Sequence, residues 1–180
     1  MSLNIDDLVS IFDDYLTIQN SLKITRRSLS EKTPLSKNRT IFDEMKYSEA
    51  EKKLKTAKKE FSNLIVLSLF AQFERQLRDE IAAKSSKLLE IIPIELAESL
   101  NQLTQKEMER WRIEEVIDLF KFAVDGNLRG QMKQILEYRN WLAHGRNVNK
   151  LPSIRKADPQ TTFDSILGFI TQIQHYYQHQ

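Results

Sequence analysis

The stretch from Ser48 to about Lys87 contains neither glycine nor proline. It therefore lacks the residues that most strongly break a helix, and its apolar segment 61–81 is expected to form the central core helix. The Ser48-Glu49-Ala50-Glu51 string has the S-x-x-E form of a capping box and predicts that the helix begins there. Only four glycines and four prolines occur in the 180 residues. So few breakers disfavour a many-turned β-sandwich or barrel.

Apolar residues also recur at helical spacing in the other segments, which predicts an all-α bundle of five or six helices. We expect residues 1–180 to form one domain, with a long connection over 29–48 and a loop over 145–158. The Asp125-Gly126-Asn127 string predicts a turn, and Asp158 is placed to cap a helix that starts with a proline. The other helices are expected over about 5–27, 93–106, 110–124, 128–144 and 160–178.

The composition excludes several classes of function. The chain has no cysteine, so thiol catalysis and cysteine-ligated metal sites are excluded. Its four glycines cannot form a glycine-rich phosphate loop. The net charge of +2 means that any basic binding surface must be local. No apolar run reaches membrane-spanning length and no secretory signal is evident, so we expect a cytoplasmic protein with no membrane partner.

The end of the predicted fifth helix carries the residues best suited to chemistry, in the string Arg139-Asn140-Trp141-Leu142-Ala143-His144-Gly145. Asn140 and His144 are four residues apart and share a helix face. Arg139 is five residues from His144, which leaves the two side chains roughly 140° apart and about 7.5 Å along the axis. His144 precedes a glycine that can end the helix, where the helix dipole favours a cation. An imidazole there is suited to acid–base catalysis.

The Arg139-Asn140-x-x-x-His144 string resembles the R-x(4–6)-H signature of HEPN domains, in which a polar residue usually follows the arginine. HEPN domains are helical bundles of toxin–antitoxin, antiviral defence and RNA-processing systems, and many are metal-independent ribonucleases. The resemblance covers most of the chain in helix order and is specific over about ten residues. It implies an HEPN-like bundle that acts as an endoribonuclease, as a toxin or defence effector, with no metal or other cofactor.

Cleaving RNA through its own 2′-OH needs a base for that hydroxyl, an acid for the leaving 5′-oxygen and a positive group on the phosphorane. One chain offers His144 and Arg139, whereas a two-fold dimer that pairs the fifth helices would present two of each. The resemblance implies such a composite site. Asn140 would orient the phosphate or hold His144. The expected partners are RNA, a second copy of the chain and an antitoxin such as a minimal nucleotidyltransferase.

Other charged residues are candidates for supporting roles. Glu74 lies within an apolar helix segment and either clamps Arg139, as the resemblance implies, or forms a local i,i+4 pair with Arg78. A basic loop that could guide an RNA backbone is expected at Arg146, Lys150, Arg155 and Lys156.

Each candidate also has an alternative explanation without a catalytic role. His144 could be a buried, hydrogen-bonded residue at a helix end, with Arg139 in a surface ion pair. Trp141 falls within an apolar pattern, so packing is favoured over stacking on a base. His175 and His179 form only half of a metal site. The whole chain could also be a non-catalytic HEPN-like module that dimerises or binds RNA without cutting it.

Overall fold

The computed structural model describes residues 3–31, 40–90, 93–108, 110–154 and 156–179, and these ranges contain helices and turns but no strand. The predicted all-α bundle of five to six helices is confirmed. The α-helices are α1 (Asp6–Ser30), α2 (Tyr47–Ser85), α3 (Ile94–Met108), α4 (Ile113–Leu119), α5 (Gly126–Ala143) and α6 (Pro159–Gln178), and a short 3-10 helix, Ser86–Glu90, follows α2.

The central helix of the bundle is α2, which is unbroken over 39 residues. It contacts all five other α-helices. Its core face consists of apolar residues at i, i+3, i+4 and i+7 spacing, which is the pattern of a helix buried along one stripe. The fully buried members of that face are Val66, Leu69, Phe70, Phe73 and Leu77.

The first and last helices close the core against α2. Phe12 of α1 stacks on Phe163 of α6 with ring centroids 4.4 Å apart, and Phe73 of α2 meets Phe169 of α6 edge-on at 5.2 Å. The predicted cap of α6 is confirmed, since Asp158 accepts hydrogen bonds from the backbone nitrogens of the second and third helical residues. No helix in the described ranges combines the length and apolar character needed to cross a membrane.

One face of α5 is buried against α2, α4 and α6. The hydroxyl of Tyr138 donates to Asn63 Oδ1 of α2 at 2.9 Å, a buried bond that fixes the rotation of α5 about its axis. The buried residues of α5 are Met132, Ile135, Leu136, Tyr138 and Leu142. Positions 139, 140 and 144 consequently lie at the edge of this face or outside it.

Two helix starts differ from the sequence prediction. The capping box at Ser48 is wrong, because α2 begins after Lys46 with no side-chain cap. Its expected acidic member, Glu51, pairs instead with Arg26 of α1 at 2.6 Å. The predicted turn at Asp125 is also wrong, because Asp125 is the N-cap of α5 and its carboxylate accepts from the nitrogens of Asn127 and Leu128.

The fourth helix is shorter than predicted and ends at Leu119, whereas the apolar pattern extends to Val124. Phe120 already departs from helical geometry, with φ −89° and ψ 14°, and turns follow it. Phe120 and Val124 are nevertheless buried in the core. Their spacing reflects burial of a turn segment rather than continuation of a helix.

Candidate functional site at the end of the fifth helix

The C-terminus of α5 ends in a Schellman motif at the glycine that the sequence indicated. Gly145 has φ +80° and its nitrogen donates to Leu142 O at 3.3 Å. The nitrogen of Arg146 donates to Trp141 O at 2.9 Å. These are the two bonds that define the motif, and the positive φ explains why glycine occupies the first position after the cap. His144 is the C-cap residue.

A groove of about 530 Å³ runs beside this helix end and over the loop that follows it. Asn140 and His144 both line it, as their four-residue spacing predicted. The side chain of His144 is exposed, so the alternative of a buried histidine is wrong. The groove is lined by Glu137, Asn140, Trp141, His144, Asn147, Lys150, Leu151 and Pro152.

Arg139 lies on the α2 side of this helix end. Its Nη2 atom is 3.8 Å from Glu74 Oε2, while its Nη1 atom donates to Asn140 Oδ1 at 3.0 Å. The guanidinium is thus linked to the groove through the amide of Asn140. About 29% of the Arg139 side chain is exposed, so it is partly accessible from solvent.

Glu74 forms both of the pairs that the sequence left as alternatives. Its Oε1 atom accepts from Arg78 Nη2 at 3.0 Å, and its Oε2 atom faces Arg139. Arg78 is held in turn by the carbonyl oxygens of Met108 and Trp111. One carboxylate therefore connects a fixed arginine to the candidate catalytic arginine.

The predicted basic loop is divided among different environments. Lys150 lines the groove and is exposed. Arg146 donates to both carboxylate oxygens of Glu60 on α2, so its charge is already paired. Lys156 is exposed beside Asp158. Arg155 lies outside the described residues.

Several groove residues were not predicted as parts of a site. Glu137 accepts hydrogen bonds from the Ser153 hydroxyl at 2.6 Å and the Ser153 nitrogen at 3.1 Å, and these bonds hold the pKa of Glu137 below its usual value. Trp141 Nε1 donates to Asn147 O at 2.9 Å. The Trp141 ring packs against the core, as expected, yet it also lines the groove.

The sequence does contain a signal for the groove residues that lie on α5. Glu137, Trp141 and His144 follow i, i+4 and i+7 spacing, which places them on one helix face. The loop residues Asn147 to Pro152 carry no such periodicity, because their position depends on the fold-back fixed by Ser153.

The groove provides proton-transfer and hydrogen-bonding groups, namely the His144 imidazole and the Asn140 amide. Within the described ranges, no group of three or more histidine, aspartate or glutamate residues is arranged to hold a metal ion. The rings of His175 and His179 contact each other at the end of α6 in a tilted arrangement, with centroids 4.2 Å apart. Of the three histidines in the chain, His144 is the one in the groove.

The chain was compared with protein-family models, curated proteins and solved structures, and none of them matches it.

Proposed function

We propose that this chain is a metal-independent endoribonuclease of the HEPN type, a toxin or defence effector that cleaves RNA in a site shared by two copies. The observation that carries the proposal is the shared groove of Asn140, His144 and Lys150, with Arg139 bonded to Asn140 at its border. This set combines an exposed acid–base group, a phosphate-binding amide and two cations. Cleavage through the 2′-OH requires these groups and one further acid–base group.

The second acid–base group would come from a second copy of the chain. His144 of one copy takes the proton of the ribose 2′-OH, whose oxygen attacks the adjacent phosphorus. The bond from phosphorus to the 5′-oxygen breaks, and His144 of the other copy protonates that oxygen. Arg139 stabilises the charge on the non-bridging oxygens. The products are a 2′,3′-cyclic phosphate and a free 5′-hydroxyl, and no water or metal enters the first step.

The exposure of His144 supports this arrangement. A two-fold axis beside the end of α5 would bring the two exposed imidazoles into one cleft. Glu74 supports it as well, because a carboxylate 3.8 Å from the guanidinium restricts where Arg139 can reach.

The test is cleavage of a defined RNA in EDTA by the wild type, His144→Ala and Arg139→Ala. A loss of about 10²–10⁴-fold is expected for His144→Ala, the range for removing a general acid–base group. His175→Ala is the matched control, because it removes the same side chain at the far end of α6 and should leave the rate unchanged. Equal rates in all four proteins would contradict the proposal.

A second candidate function is an HEPN-like module that dimerises or binds RNA without cutting it. The pairing of Arg146 with Glu60 favours its dimerisation form, since this guanidinium already neutralises a carboxylate and is less available to RNA. A folded dimer that binds RNA with a steep salt dependence but yields no cyclic phosphate would select the RNA-binding form of this alternative. A folded dimer without RNA affinity would select the dimerisation form.

A further inference from the structure

A second pocket of about 450 Å³ lies at the C-terminal end of α2, where α3, α4 and α6 meet that helix. It shares no lining residue with the groove beside α5. Its volume falls within the range of about 300–1,000 Å³ that is usual for small-molecule sites. Its lining includes Glu80, Ile81, Lys84, Leu119, Phe122 and Tyr177.

One end of this pocket contains a buried carboxylate. Glu80 is only 1% exposed, although it lines a mostly apolar cavity. Lys84 Nζ lies 3.6 Å from Glu80 Oε1 and 4.1 Å from the centre of the Tyr177 ring. An ammonium between a carboxylate and an aromatic face is held by Coulombic attraction and by a cation–π contact. The pocket therefore contains a cation position, which the chain fills with its own lysine.

The lysine in that position is replaceable. Its side chain is 44% exposed and reaches the position on a flexible stem, so water screens its contacts and they are weaker than those of a fully desolvated ammonium. Burial, first, and the nearby carboxylate of Glu80 raise the pKa of the Tyr177 hydroxyl. The buried end thus favours positive charge.

The other end of the pocket is apolar and open. Leu119 and Phe122 both line this end and are 47% and 50% exposed. Phe122 is supported from behind by Tyr176, whose ring meets it edge-on at 4.9 Å. An apolar body placed here would remove both side chains from water.

We propose that this pocket binds a primary organic amine with an apolar body, whose ammonium takes the place of Lys84 between Glu80 and the Tyr177 ring. The apolar body covers Leu119 and Phe122. Binding is non-covalent and moves Lys84 into solvent. The two ends of the pocket indicate this ligand class. A neutral apolar compound cannot take the place of the Lys84 ammonium, and the carboxylate of Glu80 repels an organic anion.

The experiment titrates the full-length chain with 2-phenylethylamine and with 2-phenylethanol, which have the same ring and linker but differ in charge. Amide chemical shifts measured by NMR report both affinity and location. We expect saturable binding of the amine with shifts at Lys84, Phe122 and Tyr177. The alcohol should bind at least about tenfold more weakly, because it gains neither the ion pair nor the cation–π contact. Equal affinities, shifts located elsewhere, or no saturation at millimolar amine would overturn the proposal.

Lys84→Ala and Glu80→Gln should change the affinity for the amine in opposite directions. Lys84→Ala removes the internal competitor, so the amine should bind about three- to tenfold more tightly. Lys87→Ala removes the same charge three residues along the chain and should change the affinity less than twofold, which controls for net charge. Glu80→Gln should weaken amine binding about tenfold or more.

The outcome does not depend on every variant folding. If Glu80→Gln fails to fold, the comparison of amine with alcohol and the Lys84→Ala result still decide the proposal. Weaker amine binding by Lys84→Ala would contradict it, because that result would make Lys84 part of the site rather than an occupant.

Discussion

Arg146 donates to both carboxylate oxygens of Glu60, and this pair ties the loop after α5 to the middle of α2. Arg146 also has a left-handed backbone, with φ +61°. Arg146 directly follows the His144-Gly145 helix end. The ion pair and the strained residue therefore position the start of the groove loop, and the bonds of Ser153 to Glu137 hold it further along.

The Glu60–Arg146 pair should make the acid stability of the protein depend on Glu60. The hydrogen bond from Arg146 holds the pKa of Glu60 below 4.5, its usual value. A carboxylate whose pKa is lower in the folded state contributes stability that is complete above the unfolded pKa and is lost as the pH falls through the folded pKa. Glu60→Gln should lower the melting temperature at neutral pH, and its difference from the wild type should shrink as the pH falls below 4.5. Thermal melts across that range measure it. The double variant Glu60→Gln, Arg146→Gln should match the single one, and a pH-independent difference would contradict this interpretation.

Because Arg146 has a left-handed backbone, two substitutions that both remove the ion pair should differ in stability. Arg146→Gly relieves the backbone strain, whereas Arg146→Ala retains it. A residue with a Cβ atom pays about 1–2 kcal/mol in this conformation, so the alanine variant should be less stable than the glycine variant by about 1 kcal/mol after the greater unfolded-state entropy of glycine is included. Urea denaturation measures the difference. An alanine variant as stable as the glycine variant would show that the loop relaxes out of the left-handed region.

The sequence predicted the helices well because their signals are local. Periodic apolar residues on α2 and α6 and the Asp158 cap depend on neighbours within four positions. Two of the errors arose where a tertiary contact or burial overrides a local pattern. Glu51 pairs with Arg26 across two helices instead of capping α2, and the buried Phe120 and Val124 extend an apolar pattern through a turn.

The candidate site was predictable only on the helix. The spacing of Asn140 and His144 placed both on one face, and the angle between Arg139 and His144 placed the arginine elsewhere. The bond between Glu137 and Ser153 and the ion pair between Arg146 and Glu60 join residues 16 and 86 positions apart. No local pattern marks such long-range contacts, so the groove and the pairing of Arg146 required the folded chain.

Lys150 should contribute to RNA binding without determining its sequence preference. It is exposed and lines the groove, so its ammonium is placed to neutralise one phosphate. Under the proposed function, Lys150→Ala should weaken binding to all RNA sequences alike and reduce the slope of log K against log salt by about 0.7 for single strands. Lys106→Ala removes an exposed charge on α3 and serves as the control. Fluorescence anisotropy at several salt concentrations gives both slopes, and identical slopes would remove Lys150 from the interface.

Arg78 should be a structural arginine whose loss affects folding and the position of Arg139 together. It is 20% exposed and donates to Glu74 and to the carbonyl oxygens of Met108 and Trp111. Arg78→Met keeps much of the side-chain volume but leaves these acceptors without their donor. The expected loss is about 2–4 kcal/mol in the free energy of unfolding, as for breaking a partly buried charged network. Arg75→Met removes an arginine three positions away that makes an exposed 3.4 Å pair with Asp7, so it should cost less than about 0.5 kcal/mol. Urea denaturation of the two variants would contradict this role for Arg78 if their losses were equal.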